Sequence, residues 1–369
     1  MANRAYKFRI YPDREQEQLF AKTFGCCRFL YNQMLADKIQ EYRKNGKMLR
    51  ITPAAYKNEY PWLKEVDALA LANVQLQLER AYRNFFDRKE CGFPKFRTKH
   101  RSRRSYTTNV VNGNIRLEGD RLRLPKTGSV KIRVHRDIPE CWKLRSVTVS
   151  QEPAGKYYAS LLYEYPDCES QTDGAHTGEE NILGIDFAMR GMAVFSDGNR
   201  ADYPMYYRKG QERLAREQRK LSRCQRGSRN YDRQKRLVAL CHEKVRNQRK
   251  DFQHKLSRRI AEQYDAVAVE DIDMKAMSSG LHFGKNVMDN GFGQFREMLS
   301  YKLEDRGKRL IVIGRFYPSS KRCSVCGRVK KELRLDERIY TCVCGNCMDR
   351  DINAAINIRE EGRRMLKSA

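Results

Sequence analysis

The stretch from Pro318 to Ile358, PSSKRCSVCGRVKKELRLDERIYTCVCGNCMDRDINAAINI, limits what this chain can fold into more than any other. Cys323 and Cys326 form a C-x-x-C pair, and Cys342 and Cys344 follow a basic, turn-prone hairpin. Four thiolates on two tight turns hold zinc tetrahedrally, which orders a segment too short to bury a core. Cys347 sets up a competing C-x-x-C with Cys344, so Cys347 is the alternative to Cys342 as fourth ligand. Asp349-Arg350-Asp351 then opens an alanine-rich helical run. An aspartate at a helix start ordinarily caps backbone N–H groups. A metal-binding role for either one requires matching carboxylates elsewhere in the chain.

The 369 residues are enough for two or three compact units. The formal charge is +28, from 74 Lys and Arg against 46 Asp and Glu, spread over most of the chain. Self-repulsion on this scale calls for a polyanion, and nucleic acid is the expected partner. No membrane is expected, because no apolar run nears the roughly 20 residues that span a bilayer. Met1 to Ile10 lacks the apolar segment of a signal peptide, so the expected location is the cytoplasm. Twelve cysteines there do not read as disulfides. Five crowd between Cys323 and Cys347, as metal ligands do, and the scattered others are expected mostly as small core residues.

In chain order, Tyr6 to Tyr11 alternates apolar with basic residues, a strand signal. Arg14 to Lys47 carries Phe20, Phe24, Cys27, Leu30, Tyr31 and Met34 at helical spacing and ends near Asn45-Gly46. A second helical block runs from Ala68 to Lys89 and counts Leu76 among its apolar positions. Gly92 to Arg104 interleaves Phe93 and Phe96 with basic residues, which suits either base stacking or local anchoring in a core. From Tyr106 to Tyr165 the period is two, with a hairpin near Gly119-Asp120. With the first strand, these segments suggest a small β-barrel carrying a helical insertion. Residues 166–180 are polar and acidic, a linker composition. Buried strands follow at Ile182–Phe187, Ala266–Glu270 and Leu310–Ile313, with Met192–Phe195 as a hairpin partner. Between the first two lies a basic helical stretch, Lys209 to Tyr264, broken at Gly227-Ser228. It has too few acids for i,i+4 pairing, so phosphate contact is expected. Phe292 to Gly307 is an amphipathic helix.

Three acidic residues stand out by position: Asp186 ends one buried strand, Glu270 closes a second, and Asp351 opens the last helix. Carboxylates at such sites are costly unless a cation satisfies them. Two Mg²⁺ ions about 4 Å apart would do so, and would hold the attacking water and leaving oxygen of a phosphodiester in line. Asp271, Asp273 and Asp349 are weaker candidates. Asp349 as the N-cap leaves Asp351 on the first turn, facing the sheet.

GIDFAMRGMAVFSDG, VAVEDIDMKAM, PSSKRCSVCG and CMDRDINAAINI resemble the motifs of the TnpB family, small insertion-sequence proteins related to compact type V CRISPR effectors. The similarity extends to KFRIYP, GCCRFLYNQML, GFPKFRTK and RGSRNYDRQKRLVAL, and so covers nearly the whole chain. It implies a multidomain α+β fold: a RuvC-like (RNase H fold) nuclease domain with a zinc-knuckle insertion, plus a wedge β-barrel carrying a helical recognition insertion. The implied divisions are the first wedge strand at 1–12, the recognition insertion at 13–105 and the rest of the wedge at 106–165. A linker at 166–180 leads to the nuclease at 181–318 and 349–369, with the zinc-binding, target-nucleic-acid-binding insertion at 319–348.

The implied activity is that of an RNA-guided DNA endonuclease of a transposable element, acting in the prokaryotic cytoplasm at the nucleoid. Its partners would be a guide RNA from the transposon end, one protein per RNA, and double-stranded DNA with a short motif beside the target. The family's catalytic triad, with Mg²⁺ or Mn²⁺, falls on Asp186, Glu270 and Asp351, and its structural zinc on Cys323, Cys326, Cys342 and Cys344. Candidate nucleic-acid contacts are Tyr6, Lys7, Arg9, Lys95, Arg97, Arg229, Arg246 and Arg249. Asn73 and Gln75, half a turn apart, could pair with adenine edges. The chain departs from the pattern at Ala188, at Arg190-Gly191 and in the C-x-C pair.

A catalytically silent, DNA-binding repressor of the same family should have lost a triad carboxylate, and none is lost. A protein-only transposase would need paired histidines, and the six present form no H-x-H pattern. A resolvase would lack the large basic helical insertion.

Overall fold

The computed structural model describes residues 2–88, 90–165, 181–189, 191–271, 289–334 and 336–368. The expected linker with Cys168, and the residues Arg190 and Asp273, lie outside them. The chain divides into two compact units, Met1–Asp167 and Cys168–Ala369.

The first unit opens with β1 (Ala2–Tyr11), where buried Phe8 and Ile10 alternate with exposed Lys7 and Arg9. Helix α1 (Arg14–Asn45) starts in a reciprocal capping box: Gln16 N–H donates to the Asp13 carboxylate at 2.8 Å, and Asp13 N–H donates to the Gln16 side chain at 3.1 Å. Gly46, at φ 63°, ends it in the left-handed region. Helix α2 (Pro53–Glu59) and a 3-10 turn (Pro61–Glu65) lead to α3 (Ala68–Asp87), whose buried stripe is Leu71, Val74, Leu78 and Tyr82. Leu76 falls off that stripe and is exposed, contrary to expectation. Strands β2 (Arg104–Asn109), β3 (Arg116–Glu118), β4 (Arg121–Leu124), β5 (Gly128–Arg133), β6 (Lys143–Gln151) and β7 (Tyr157–Tyr165) complete the unit.

The sheet order is β2-β6-β7-β1-β5-β4-β3, antiparallel throughout, with β1 in the middle. Among the described residues no ladder joins β2 to β3, so hydrogen bonding leaves these two strands at the edges of the sheet. A period of two reports strands and not closure. The edge strand β3 has three residues and a single half-buried side chain, Leu117, too little to seat a further strand. The scattered cysteines also differ from expectation. Cys26 and Cys27 are buried, but Cys91, Cys224 and Cys241 are half-buried and Cys141 is exposed.

The second unit contains β8 (Ile182–Ala188), β9 (Met192–Phe195), α4 (Tyr206–Ser222), α5 (Arg229–Gln263), β10 (Ala266–Glu270), α6 (Phe292–Glu304) and β11 (Arg309–Ile313). The short strands β12 (Ile339–Thr341) and β13 (Cys347–Asp349) and the helix α7 (Arg350–Lys367) follow. The main sheet runs β11-β10-β8-β9; β8, β10 and β11 are parallel, and β9 is the antiparallel hairpin partner of β8. Leu183, Ile185, Val267 and Val269 face a core shared with Leu256 and Ile260 of α5 and Phe292, Phe295 and Leu299 of α6. Alternate residues of the same strands, Ile182, Ala266 and Ala268, join Ile358 of α7 on the other face.

That second face is lined by small residues, and α7 lies close against it. An added Cβ at Gly184 would stand 2.1 Å from the Ala355 carbonyl oxygen and 2.7 Å from the Arg359 nitrogen. One at Gly362 would stand 2.5 Å from the Ala268 Cβ. The atoms met at Gly184 are mostly backbone and cannot swing aside. Gly184→Ala should therefore cost at least about 1–3 kcal/mol. Thermal unfolding should show it as a Tm lower by about 2–4 °C for each kcal/mol. An unchanged Tm would mean that α7 can retreat freely.

Candidate carboxylate centre and cysteine tetrad

Strands β8 and β10 are in parallel register with Val269 beside Ile185, so Glu270 and Asp186 emerge at the same end of the sheet. Period two puts Ile182, Gly184 and Asp186 on one face, and Ala266, Ala268 and Glu270 on the same face. This is the α7 face, and Asp351 lies in the first turn of α7. The other two carboxylates act on Asp186. Protein atoms crowd the Asp186 carboxyl although the residue keeps some open surface. Burial first, then the charges of Glu270 and Asp351, hold its pKa well above the usual carboxylate range, with the Arg350 guanidinium pulling the other way. Burial also raises the pKa of Glu270, against a hydrogen bond that its carboxylate accepts from Ser319 Oγ.

The competing aspartates are otherwise engaged. Asp349 is the N-cap of α7, accepting from the N–H groups of Asp351 at 2.9 Å and Ile352 at 3.1 Å. Its other oxygen takes the Arg200 guanidinium at 2.8 Å. Asp271 is ion-paired with Arg296 at 3.3 Å and Arg315 at 3.0 Å.

The cysteines that converge are Cys323, Cys326, Cys342 and Cys344, their sulfurs all within 4.8 Å of one another. Cys323 and Cys344 are 3.7 Å apart, Cys326 and Cys342 3.6 Å. Four thiolates 2.3 Å from one zinc at tetrahedral angles stand about 3.8 Å apart, so the tetrad fits that ion. Burial opposes a Cys323 thiolate. Backbone donors at Cys326 and Val325 and the Asn346 side chain, 3.4 Å from its sulfur, outweigh burial and draw its pKa down to about 6. Each C-x-C or C-x-x-C turn closes on a glycine: Gly327 N–H donates to Cys323 O and Gly345 N–H to Cys342 O, both at 3.0 Å. Cys347 lies instead in β13, paired with Thr341, and is outside the cluster.

Sequence reasoning missed the residues that join the two centres. Asn353 and Asn357, one turn apart on α7, are buried. Both donate to Arg322 O at 2.7 Å. Asn353 accepts from Ser324 N–H at 3.0 Å, and Asn357 donates to Ser319 O at 2.8 Å. The segment that carries Ser319 to Glu270 and Cys323 to the tetrad is thereby fastened to the helix that carries Asp351. The available signal was an asparagine pair at i, i+4 inside an apolar run, since buried amides require partners.

The candidate nucleic-acid residues divide. Lys7, Arg9, Lys95, Arg229 and Arg246 are exposed. Tyr6 is instead half-buried among Phe8, Trp142 and Tyr163. Arg97 lies 3.7 Å over the Tyr31 ring and donates to Gln77 at 3.0 Å, a packing role. Arg249 is half-buried beside Gly291. Asn73 and Gln75 spend a donor within their own helix, on Leu69 O at 2.9 Å and Glu79 at 2.8 Å. Phe93 and Phe96 are exposed, with the edge of Phe93 against Tyr82. No helix among the described residues is long and apolar enough to cross a membrane.

Fold and site together define a multidomain α+β protein with a carboxylate centre fastened to a cysteine tetrad. Residues 165–280 match the family described as "Probable transposase" of the OrfB IS605 type, and residues 292–358 match the "Cas12f1-like, TNB domain". Residues 1–47 match a "Helix-turn-helix domain" of the same type, although here they form one strand and one long helix. Two relatives carry the name "Putative RNA-guided DNA endonuclease". The one from Streptomyces pristinaespiralis is 33% identical over 97% of this chain and 89% of that protein. The one from Escherichia coli (strain K12), InsQ, is 31% identical over 98% of this chain and 93% of that protein. A cryo-EM structure titled as the Cas12f1-sgRNA-target DNA complex has the same fold, with a TM-score of 0.59 at 13% identity over 97% of this chain and 98% of that one. The chain belongs to the TnpB family, as its motifs implied.

Proposed function

We propose that the protein is an RNA-guided, metal-dependent DNA endonuclease, cutting target DNA beside a short adjacent motif through a RuvC-like centre at Asp186, Glu270 and Asp351. The observation that carries this reading is the approach of the three carboxylates, where burial of Asp186 and Glu270 and the charges of Glu270 and Asp351 on Asp186 leave a demand for cations. Hard carboxylate oxygens fit Mg²⁺ or Mn²⁺, which when bound would polarise the phosphodiester and supply an activated water. The chain's own part is positional. Asp186 and Glu270 come from neighbouring strands, Ser319 orients Glu270, and the Asp349 cap fixes the turn that presents Asp351.

The tetrad would hold zinc structurally, since four thiolates leave no open position. The guide RNA and DNA would meet basic surfaces, among them the groove between α4 and α5 with Lys209, Arg213, Lys220 and Lys244. The first unit would serve as wedge and recognition module, with one protein per guide RNA, at the nucleoid of a prokaryotic cell. The names of the relatives support the RNA guide. The test is to coexpress the protein with its transposon end, sequence the copurifying RNA, and offer a plasmid library bearing the matching target. Mg²⁺-dependent cleavage beside one enriched motif is expected. No copurifying RNA, or no cutting, overturns the reading.

A further inference from the structure

Phe316 is 94% exposed, the most open large apolar side chain among the described residues. Its neighbours are nevertheless held. Arg315 pairs with Asp271 at 3.0 Å, and Tyr317 packs on the Ile313 and Ile358 cluster. Tyr317 N–H closes a turn onto Gly314 O at 3.0 Å, and buried Ser319 bonds Glu270. The ring is thus held outward by a turn anchored on both sides. Phe316 is three residues, at most about 11 Å of backbone, from the Ser319 that bonds Glu270. From Lys321 to Lys331 the chain carries five Lys and Arg and no Asp or Glu, a segment whose charge suits a polyanion.

We propose that Phe316 stacks on a nucleobase flanking the scissile phosphodiester and so positions the substrate strand over the centre. An aromatic face suits any base, which matches an enzyme whose sequence choice would lie in its guide. The inference rests on the nuclease reading above. Phe316 would be a positioning residue, and Phe316→Leu removes the aromatic face while keeping the apolar bulk.

The test uses guide-loaded protein and targets carrying 2-aminopurine at single positions around the cut. In an Asp186→Ala background, which binds without cutting, fluorescence should be quenched at one position or an adjacent pair. Phe316→Leu should relieve that quenching and Phe316→Trp should keep it. With Asp186 intact, Phe316→Leu should raise KM by about 5- to 100-fold, and Phe316→Trp should stay close to the original. Equal quenching and equal KM in Phe316→Leu overturn the stacking while cutting by the unaltered protein upholds the nuclease. Absence of cutting by the unaltered protein sinks both. Concentration-dependent dimerisation lost in Phe316→Leu would give the ring to a second copy of the chain, and would overturn the proposal.

Discussion

Asp186→Asn should abolish DNA cutting and at the same time raise the melting temperature of the metal-free protein. The first effect follows from losing a metal ligand. Even outer-shell partners of ligands cost about 10–100-fold, so the loss should exceed about 100-fold. The second follows from the raised pKa of Asp186, set by burial and by the charges of Glu270 and Asp351. A carboxyl whose pKa is higher in the folded than in the unfolded chain weakens the fold as pH rises past its unfolded value near 4. Below that value the carboxyl is neutral in both states and the penalty vanishes. In EDTA near pH 7 the asparagine variant should therefore melt higher, and the gap should close below about pH 4. Added Mg²⁺ should stabilise the unaltered protein more than the variant. A variant that melts lower at neutral pH in EDTA would mean that Asp186 is satisfied by the protein alone. Asp351→Ala should reduce cutting more than Asp349→Ala, whose loss removes only a cap and an Arg200 pair.

The second large effect is expected at the tetrad. Cys323→Ser or Cys326→Ser should strip bound zinc, measured by elemental analysis, and reduce cutting strongly with a smaller loss of guide RNA binding. The route is structural. Loosening Cys323 frees the segment that Asn353 and Asn357 clamp to α7, and with it both Ser319 on Glu270 and the turn bearing Asp351. A misplacement of about 1 Å at a reacting centre can cost roughly a hundredfold. Cys347→Ser should change neither zinc nor cutting. Zinc lost in Cys347→Ser but kept in Cys342→Ser would reassign the fourth ligand.

How much of this was legible depended on whether a residue's role is set locally. The apolar runs into Asp186 and Glu270 name buried strands by themselves, and a strand's period of two then fixes the face of its last side chain. The cysteine spacing likewise carries its own geometry, although it left Cys342 and Cys347 open and the family resemblance chose between them. The capping box at Asp13 and the stop at Gly46 are also local. Roles set by a distant partner stayed hidden. Arg97 looks like a free cation until Tyr31 is placed beneath it, and Tyr6 like an open aromatic face until Trp142 and Tyr163 are placed against it. Asn73 and Gln75 are different: their partners Leu69 and Glu79 are only four residues away on the same helix, so those bonds were within reach of helical spacing. The strand order of the first sheet was not legible either, because pairing between strands is a long-range property.

The carboxylate centre is stitched from distant parts of the chain, and that bears on the order of folding. Asn181 reaches Asp265 across 84 residues, and Arg200 reaches Asp349 across 149. By contrast α4 and α5 are joined by a short turn before Ser228, and Gln234 already reaches back to Glu217 across 17 residues. Contacts close in sequence form early, and those that close long loops form late. The basic helical hairpin should therefore take shape while Asp186, Glu270 and Asp351 are still apart. A chain at that stage presents its basic helices before the three carboxylates have met.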